Sequence, residues 1–582
     1  MEFETVFHDA ELCVVGGGLA GLCGAVEAAR RGAKVVLMQD RPMLGGNASS
    51  EIRMWVCGAH GKNMRETGIL EEIMLENLYR NPDLNYSIWD GILYETAKRE
   101  ENLTLLLNCA CEACEMDGNQ IVSVTGYQTT TQRRHLVHAR IYADCSGDSV
   151  LAPLTSAQFR VGREARSEYG ESIAPETGDK KTMGMSLLIQ AREYPTPSEF
   201  IPPQWAHRYT REDLAHRIPD LTNPGENFWY LELGGTRDTI RDTEEIRDDL
   251  LKCAYGVWDY VKNAPQNKEK NKNWRLDWMG MLPGKRESRR YVGDCVLTQN
   301  DVRAGGHFDD VVAYGGWTMD DHDPRGFESG GAPNIFHPAP SPYGIPYRCL
   351  YSKNVENLMF AGRNISATHA AMSSSRVMAT CAILGQAMGA AAALAIREKT
   401  SPRGVYERHI AELRETLMDD DCYLPFTRRE VSDLARRAKL DAAFEHLRDG
   451  FDRPTDGTDH GATVCVGEAI RYAFDEPQSV ESARIVFDSD LNRLLMGVLA
   501  QRNLPANRPL DIKLARMPET LVKAYRLEAT LESGETILIA EETNNRRRMR
   551  RHAVGEKVSA LCLTPLKTWG AKNCHIFSFD FK

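Results

Sequence analysis

LCVVGGGLAGLCGAVEAARRGAKVVLMQD, residues 12–40, is the stretch from which the first half of the chain is read. Leu12 to Val15 is a short apolar strand, and a glycine-rich turn follows it. A helix is expected from about Ala20 to Arg30, and Val35 to Met38 closes the unit as a second strand. Gly16, Gly18 and Gly21 stand in the spacing G-x-G-x-x-G where strand becomes helix. That spacing says little by itself, but inside a strand–turn–helix–strand unit each glycine has a duty. Gly16 permits the tight turn, Gly18 lets the backbone approach a pyrophosphate, and Gly21 lets helix and strand pack closely. The helix N-terminus favours the phosphate charge. The unit therefore predicts a Rossmann-like domain that binds a dinucleotide.

An acidic residue is expected about 20 positions on, to hold ribose hydroxyls. Gln39 stands there, followed by Asp40 and Arg41. An amide still donates to and accepts from a diol, and Asp40 is the alternative. The chain then runs into RPMLGGNASSE, residues 41–51, and on through GGNASSEIRMWVCGAHG, residues 45–61. Small, polar and reactive side chains are crowded there in a way that suits a ligand better than a core.

A double glycine followed by small polar residues resembles the pattern of FAD enzymes of the glutathione-reductase and fumarate-reductase type. IYADCSGDSVLA, residues 141–152, resembles a second FAD segment, carried by Gly147 and Asp148. ENLMFAGRNISATHAAMSSSRVMATCAILGQAMGAAAALA, residues 356–395, resembles the segment that returns to the flavin, with Gly362-Arg363 where many relatives have Gly-Asp. Together with GREARSEYGESIAPE, LPGKRESRRYVGD and YGGWTMDDHDP, these identify a resemblance to the bacterial FAD-dependent oxidoreductases over about residues 10–400. The resemblance implies FAD, held by Gly16, Gly18, Gly21, Gln39, Asp40, Arg41, Gly45, Gly46, Asn47, Ser50, Gly147, Asp148, Gly362, Arg363, Ser373 and Ser374. It also brings Cys57 and His60 near the flavin ring, with His369 arriving from the other half of the domain. No second G-x-G-x-x-G lies in a strand–helix unit, so a separate pyridine-nucleotide domain is not expected.

At 582 residues two to four domains are expected. The fold class is α/β. Residues 1–189 and 285–400 form the FAD-binding domain, and 190–284 an inserted α+β substrate domain. Residues 401–455 are a helical connector, and 456–582 a C-terminal antiparallel β-sandwich weakly similar to galactose-binding-like modules. Strand-like runs such as LVKAYRLEATLE and HIFSFDFK carry the last assignment. The sandwich is expected to be structural or dimerising rather than sugar-binding.

A net charge of −11 argues against non-specific nucleic-acid binding. The run NNRRRMRRH reads as a solvated hairpin or an oligomer contact. The N-terminus has no hydrophobic signal segment, no apolar run reaches membrane-spanning length, and fifteen scattered cysteines read as reduced thiols in the cytoplasm. Cys111 and Cys114 lie on an apparent strand, where positions three apart face opposite ways. No metal site is expected.

The predicted reaction is hydride transfer between flavin and a small polar metabolite, either a sugar derivative or a hydroxy acid, with an unassigned electron acceptor. Histidine suits the proton-accepting role because its pKa lies near neutrality. His60 and His369 are the candidate proton carriers, and Cys57 and Arg53 complete the catalytic set. Arg286, Arg289 and Arg290 join Arg53 as candidate clamps for an anionic substrate. Two other readings stay open: an RNA-modifying flavoprotein, and a carbohydrate binder with a vestigial flavin domain.

Overall fold

A computed structural model describes residues 3–494 and 504–582; the expected sandwich span thus includes 495–503, outside the described residues. The chain forms two compact units. The first comprises Met1–His60, Asp83–Leu413 and Leu494–Leu514; the second comprises Gly61–Pro82, Arg414–Arg493 and Ala515–Lys582.

The first unit is built on the stretch read above. Strand β1 (Leu12–Val15), helix α1 (Leu19–Arg30) and strand β2 (Val35–Met38) follow one another within a residue of expectation. With β3 (Leu103–Leu106), β4 (Ile141–Asp144) and β5 (Leu358–Phe360) they make a parallel sheet in the order β5-β4-β1-β2-β3. Both faces are covered, so β1, β2 and β4 are buried along their whole length. Helix α2 (Met378–Arg397) packs on α1. Gly24, Gly385 and Gly389 let the two backbones approach, since a side chain at any of them would meet the other helix's backbone inside contact distance. No apolar run of membrane-spanning length is expected from the sequence. The helix is in fact long and apolar enough by composition, but its apolar window is wholly buried within the unit.

The inserted region has its own core. Helix Thr243–Asn263 covers short antiparallel strands, and Trp258, Tyr230 and Trp274 lie in that core. Trp229 is only partly buried against it. Residues 505–508 return to this region: Gln190 Nε2 donates to the Pro505 carbonyl at 3.0 Å, and Arg508 N to the Ala191 carbonyl at 2.9 Å. A segment assigned from sequence to the C-terminal domain thus belongs to the first unit.

One local expectation is corrected. A β-bulge falls between Cys111 and Ala113 on strand Cys109–Asp117. It shifts the register so that Cys111 and Cys114 pack against the same core rather than facing opposite ways. Burial raises both thiols, Cys114 to about 11, so neither is a thiolate near neutral pH.

The second unit is an antiparallel six-stranded sheet. Its strands β6 (Ala462–Cys465), β7 (Ile470–Phe487), β8 (Val522–Leu531), β9 (Thr536–Glu542), β10 (Met549–Thr568) and β11 (Asn573–Phe581) run in the order β6-β11-β7-β10-β8-β9. Val431, Ala435, Phe444 and Leu447 of the expected connector lie in the sheet's own hydrophobic core, so the connector is part of this unit. Leu75 of the helix Ile69–Arg80 lies there too.

The arginine run is internally paired. Arg546 donates to Glu76 at 3.0 Å, Arg547 pairs with Glu72, and Arg550 meets Glu542 at 3.2 Å. Arg551 meets Asp419 at 2.9 Å, and Arg548, 2% exposed, meets Asp421 at 3.0 Å. Cations already matched by carboxylates offer little to a polyanion.

Candidate functional site

Two glycine runs lie side by side at the N-terminus of α1. Gly45 N donates to the Gly17 carbonyl at 2.8 Å, and Gly18 and Gly45 form a parallel bridge. Gly16, Gly45 and Gly46 have φ of 105°, 102° and 57°, a region that favours glycine. A Cβ on Gly21 would sit 1.8 Å from the Gly16 carbonyl oxygen, whereas one on Gly18 would meet only the Gly46 Cα at 3.9 Å. Gly21 therefore lets helix and strand touch, while Gly18 keeps open the ground between the runs. Gly18 is the N-cap of α1 and supplies no side-chain cap. A helix N-terminus with its N–H groups uncapped by a side chain beside an open glycine cradle fits a pyrophosphate.

Gln39 is used differently from a ribose ligand. Its Oε1 accepts from Gly17 N at 2.6 Å, and its Nε2 donates to the Met43 carbonyl at 3.1 Å. The buried amide fastens the glycine turn to the loop after β2, which leaves the exposed Asp40 carboxylate as the acid available there. Arg41 lies 3.6 Å from Asp40 and 3.7 Å from Glu51. Asn47 Nδ2 donates to the Lys285 carbonyl at 3.1 Å, and Ser50 N to Asp90 at 3.1 Å.

The other half of the domain supplies an ionic cluster. Gly147 and Gly362 have φ of 78° and 117°. The Asp148 carboxylate accepts from Lys285 Nζ at 2.7 Å, Arg363 Nη2 at 2.7 Å and Ser288 Oγ at 2.8 Å. Burial opposes its ionisation, but Arg363 and Lys285 outweigh that and hold it far below the usual carboxylate range. Ser373 and Ser374 lie on the short helix His369–Ser375, capped by Thr368. Ser373 Oγ donates to the Ala370 carbonyl and Ser374 Oγ to the Trp317 carbonyl, each at 2.6 Å.

After one 3-10 turn, Gly46–Ala48, residues 53–60 form neither helix nor strand. Arg53, Cys57 and His60 therefore do not share a helical face. Arg53, with φ of 63°, lies over the rings of Trp278 and Tyr86 at 4.3 and 4.9 Å and donates to Gln190 and the Ser50 carbonyl. The Cys57 carbonyl accepts from Ala379 N at 2.8 Å, which ties this segment to the first turn of α2. His60 stacks on Trp317 at 4.3 Å with planes 18° apart, and it is half-buried. Burial lowers its pKa, against a weaker opposing pull from Asp320, so the ring is neutral near pH 7.

His369 differs. Its Nδ1 donates to Glu287 at 2.8 Å and its Nε2 to Asp321 at 3.1 Å. Burial would lower its pKa, but the two carboxylates prevail and raise it to about 10. It is an imidazolium at neutral pH, unable to accept a proton. Glu287 also pairs with Arg290, which meets Glu164 at 2.7 Å; all are buried.

A second buried network adjoins this one through Asp320 and Asp321. His322 Nδ1 donates to Glu232 at 2.6 Å and His322 Nε2 lies 3.4 Å from Asp320. Arg286 donates to Ser186 at 2.8 Å and to the Trp229 carbonyl at 2.9 Å, and lies 3.4 Å from Glu232. Arg376 donates to the Asp320 carbonyl at 3.2 Å. Arg289 Nη1 donates to the Asp148 carbonyl at 3.3 Å. All four arginines expected to clamp an anion are thus already engaged. The carboxylates that engage the histidines and two of these arginines were not singled out from sequence. Apart from Glu232, which lies in FWYLELGG, they stand within the arginine-rich and histidine-bearing runs GREARSEYG, KRESRR and MDDHD, where alternating charge was the available signal.

Four buried polar atoms in this region have no partner: Trp317 Nε1, Thr318 Oγ1, Ser375 Oγ and Arg376 Nε. They belong to two neighbouring segments, joined by the bonds from Ser374 to Trp317 and from Arg376 to Asp320. Buried polar groups are nearly always satisfied, so water, cofactor or another polar group is expected to meet these four atoms.

Residues 11–417 match the model of the family described as FAD dependent oxidoreductase. No curated protein matches the chain. Among solved structures, it is similar to a geranylgeranyl bacteriochlorophyll reductase-like protein from Thermoplasma acidophilum, at 11% identity over 72% of this chain and 85% of that one, with a TM-score of 0.30. It is similar to the myxobacterial chondrochloren halogenase, a variant FAD-dependent halogenase, at 13% identity over 71% and 80%, with a TM-score of 0.33. A CBM32 module of a GH31 protein, bound to GalNAc, is similar at 15% identity over 26% of this chain and 95% of its own, with a TM-score of 0.18. Likenesses at this level bear on neither substrate nor reaction.

Proposed function

Because this chain belongs to the family of FAD dependent oxidoreductases, we propose that it transfers a hydride between flavin and a small, uncharged polar metabolite of the sugar or polyol class. FAD supplies the two-electron acceptor. The glycine runs at 16–21 and 45–46, with Asp40 and the Asp148–Arg363 pair, hold the cofactor in this reading. The observation that carries the substrate class is the pairing of Arg286, Arg290, Arg376 and His369 with buried or half-buried carboxylates.

His60 is the proton acceptor. Its ring is neutral near pH 7, half-exposed, and held in one orientation by Trp317, as a positioned base requires. His369 anchors the carboxylates Glu287 and Asp321 instead of accepting a proton. Arg286, Arg290, Arg376 and His369 face Glu164, Glu232, Glu287, Asp320 and Asp321. With the cations so matched, a hydroxy acid is disfavoured against a neutral alcohol. Cys57 lies on the same segment as His60, tied through its carbonyl to Ala379 N. A cytoplasmic setting is in keeping with the absence of any disulfide among the described cysteines.

The test is a panel of sugars, polyols and hydroxy acids, scored by bleaching of the oxidised flavin absorbance without oxygen. A sugar or polyol should bleach it, and His60→Ala should retain FAD yet slow bleaching about 10²–10⁴-fold. Bleaching by hydroxy acids alone would overturn the substrate class, and an unchanged rate in His60→Ala would overturn the role of His60.

A further inference from the structure

The second unit holds a cluster that the flavin chemistry does not use. His446 lies in the last turn of the 3-10 helix Ala442–Arg448, Asp449 is its C-cap, and His460 follows eleven residues after Asp449, just before β6. Their ligand atoms all lie within 4.8 Å of one another. His446 Nδ1 is 3.4 Å, and His460 Nδ1 2.8 Å, from the same oxygen, Asp449 Oδ2.

We propose that His446, Asp449 and His460 form a binding site for a divalent transition ion of the zinc class, with water completing the coordination. A tetrahedral ion with bonds of about 2.0–2.2 Å spaces its ligand atoms about 3.3–3.6 Å apart. The His446–Asp449 separation already has that value, and the shorter His460 contact needs to open by about 0.5–0.8 Å on the same scale. Two neutral imidazoles and one carboxylate are a donor set such ions favour, and they carry one negative charge towards a dication.

The surroundings orient the donors. Asp449 Oδ1 accepts from Phe451 N at 2.9 Å, which aims Oδ2 at the histidines. The Phe451 ring lies 4.2 Å from that of His460. His460 Nε2 is 2.9 Å from Thr455 Oγ1. With an ion on Nδ1, the remaining ring N–H is on Nε2 and donates to that hydroxyl, the outer contact ligating histidines usually make. Thr455 is itself fixed by a tight turn. Thr455 and Thr458 exchange backbone bonds at 3.1 and 2.8 Å around Asp456 and Gly457, which have φ of 50° and 79°. Positive φ at both central residues is the Asp-Gly type I′ arrangement. The neighbouring cation, Arg448, points elsewhere: its guanidinium donates to Glu445 and to the Ala435 and Ala438 carbonyls.

The test uses the untagged full chain with FAD bound, stripped by chelator and then titrated with Zn²⁺, with bound metal counted after gel filtration. Co²⁺ is a second probe, because nitrogen and oxygen donors lack the strong near-ultraviolet charge transfer of thiolates and so exclude the cysteines. One Zn²⁺ per chain is expected, with affinity lowered more than tenfold in His446→Ala and in Asp449→Asn. The His446 side chain is 56% exposed, so its removal leaves the fold intact, and retained FAD verifies that. No retained zinc in the wild type, zinc binding unchanged in both variants, or a thiolate-type Co²⁺ spectrum would each overturn the proposal.

Discussion

Gly18 and Gly21 belong to one motif, yet alanine at the two positions should fail in opposite ways. At Gly21 a Cβ would lie 1.8 Å from the Gly16 carbonyl oxygen. Real Cβ contacts stop near 3.0 Å, so β1 and α1 would have to part by at least 1.2 Å. One extra methylene in a packed core costs about 1–3 kcal/mol. Here both clashing groups are backbone and no side chain can turn aside, so Gly21→Ala should lie at or above about 3 kcal/mol. At Gly18 the backbone, φ −61° and ψ 177°, is open to alanine, and the nearest atom to a Cβ is 3.9 Å away. The weaker N-cap and the lower entropy of the unfolded chain roughly cancel, so the apoprotein should stay within about 1 kcal/mol of wild type. The methyl group would instead occupy the ground between the glycine runs, and FAD affinity should fall at least about tenfold, 1.4 kcal/mol. Urea unfolding of the apoproteins, followed by tryptophan fluorescence, measures the first quantity, and equilibrium dialysis with FAD the second. Equal destabilisation of the apoprotein by both variants, or wild-type FAD affinity in Gly18→Ala, would refute the division of labour.

Other outcomes follow from titration and ion pairing. Flavin reduction by an active substrate should rise with pH through an inflection below 6.5, the base form of His60, and level off above it; the inflection should vanish in His60→Gln. His369 is raised from 6.5 to about 10, so its stabilisation is complete below pH 6.5 and is lost as pH rises through about 10. Urea unfolding of the first unit should weaken across that window, whereas His369→Gln should be about 3–5 kcal/mol less stable at pH 6 and show a flatter profile; parallel profiles would contradict the charged assignment. Arg429 donates to Asp580 and is 5% exposed, so Arg429→Ala should destabilise the second unit by about 3–5 kcal/mol, read as a shifted unfolding step with FAD still bound.

The cofactor half of the first unit was legible because its rules are local. A four-residue apolar run, three spaced glycines and a helix of small residues define β1, α1 and β2 with little help from the rest of the chain. The C-terminal strands were legible for the same reason, through alternation at Phe577, Phe579 and Phe581 against Ser578 and Asp580. What stayed hidden depends on distant partners. Nothing near His369 announces that Glu287 and Asp321 hold it as an imidazolium, or that Gln39 fastens a turn. Arg53 reads as an anion clamp until Trp278 and Tyr86 are placed around it. A bulge at Cys111 reverses a face without leaving a mark in the spacing. The helix Ile69–Arg80 sits in sequence among cofactor motifs, yet its Leu75 joins the core of the other unit, a membership that local periodicity cannot carry.

The close approach of α1 and α2 also has a consequence in time. Gly24 meets Gly385 and Gly389 backbone to backbone, yet about 360 residues separate them in the chain. At about 5–20 residues per second, a ribosome makes the second helix roughly 20–70 s after the first. During that interval the α1 face that later receives α2 has no partner, and the phosphate cradle at its N-terminus is without its full support. On this reading cofactor capture waits for α2, and a nascent chain that ends before Met378 should not retain FAD.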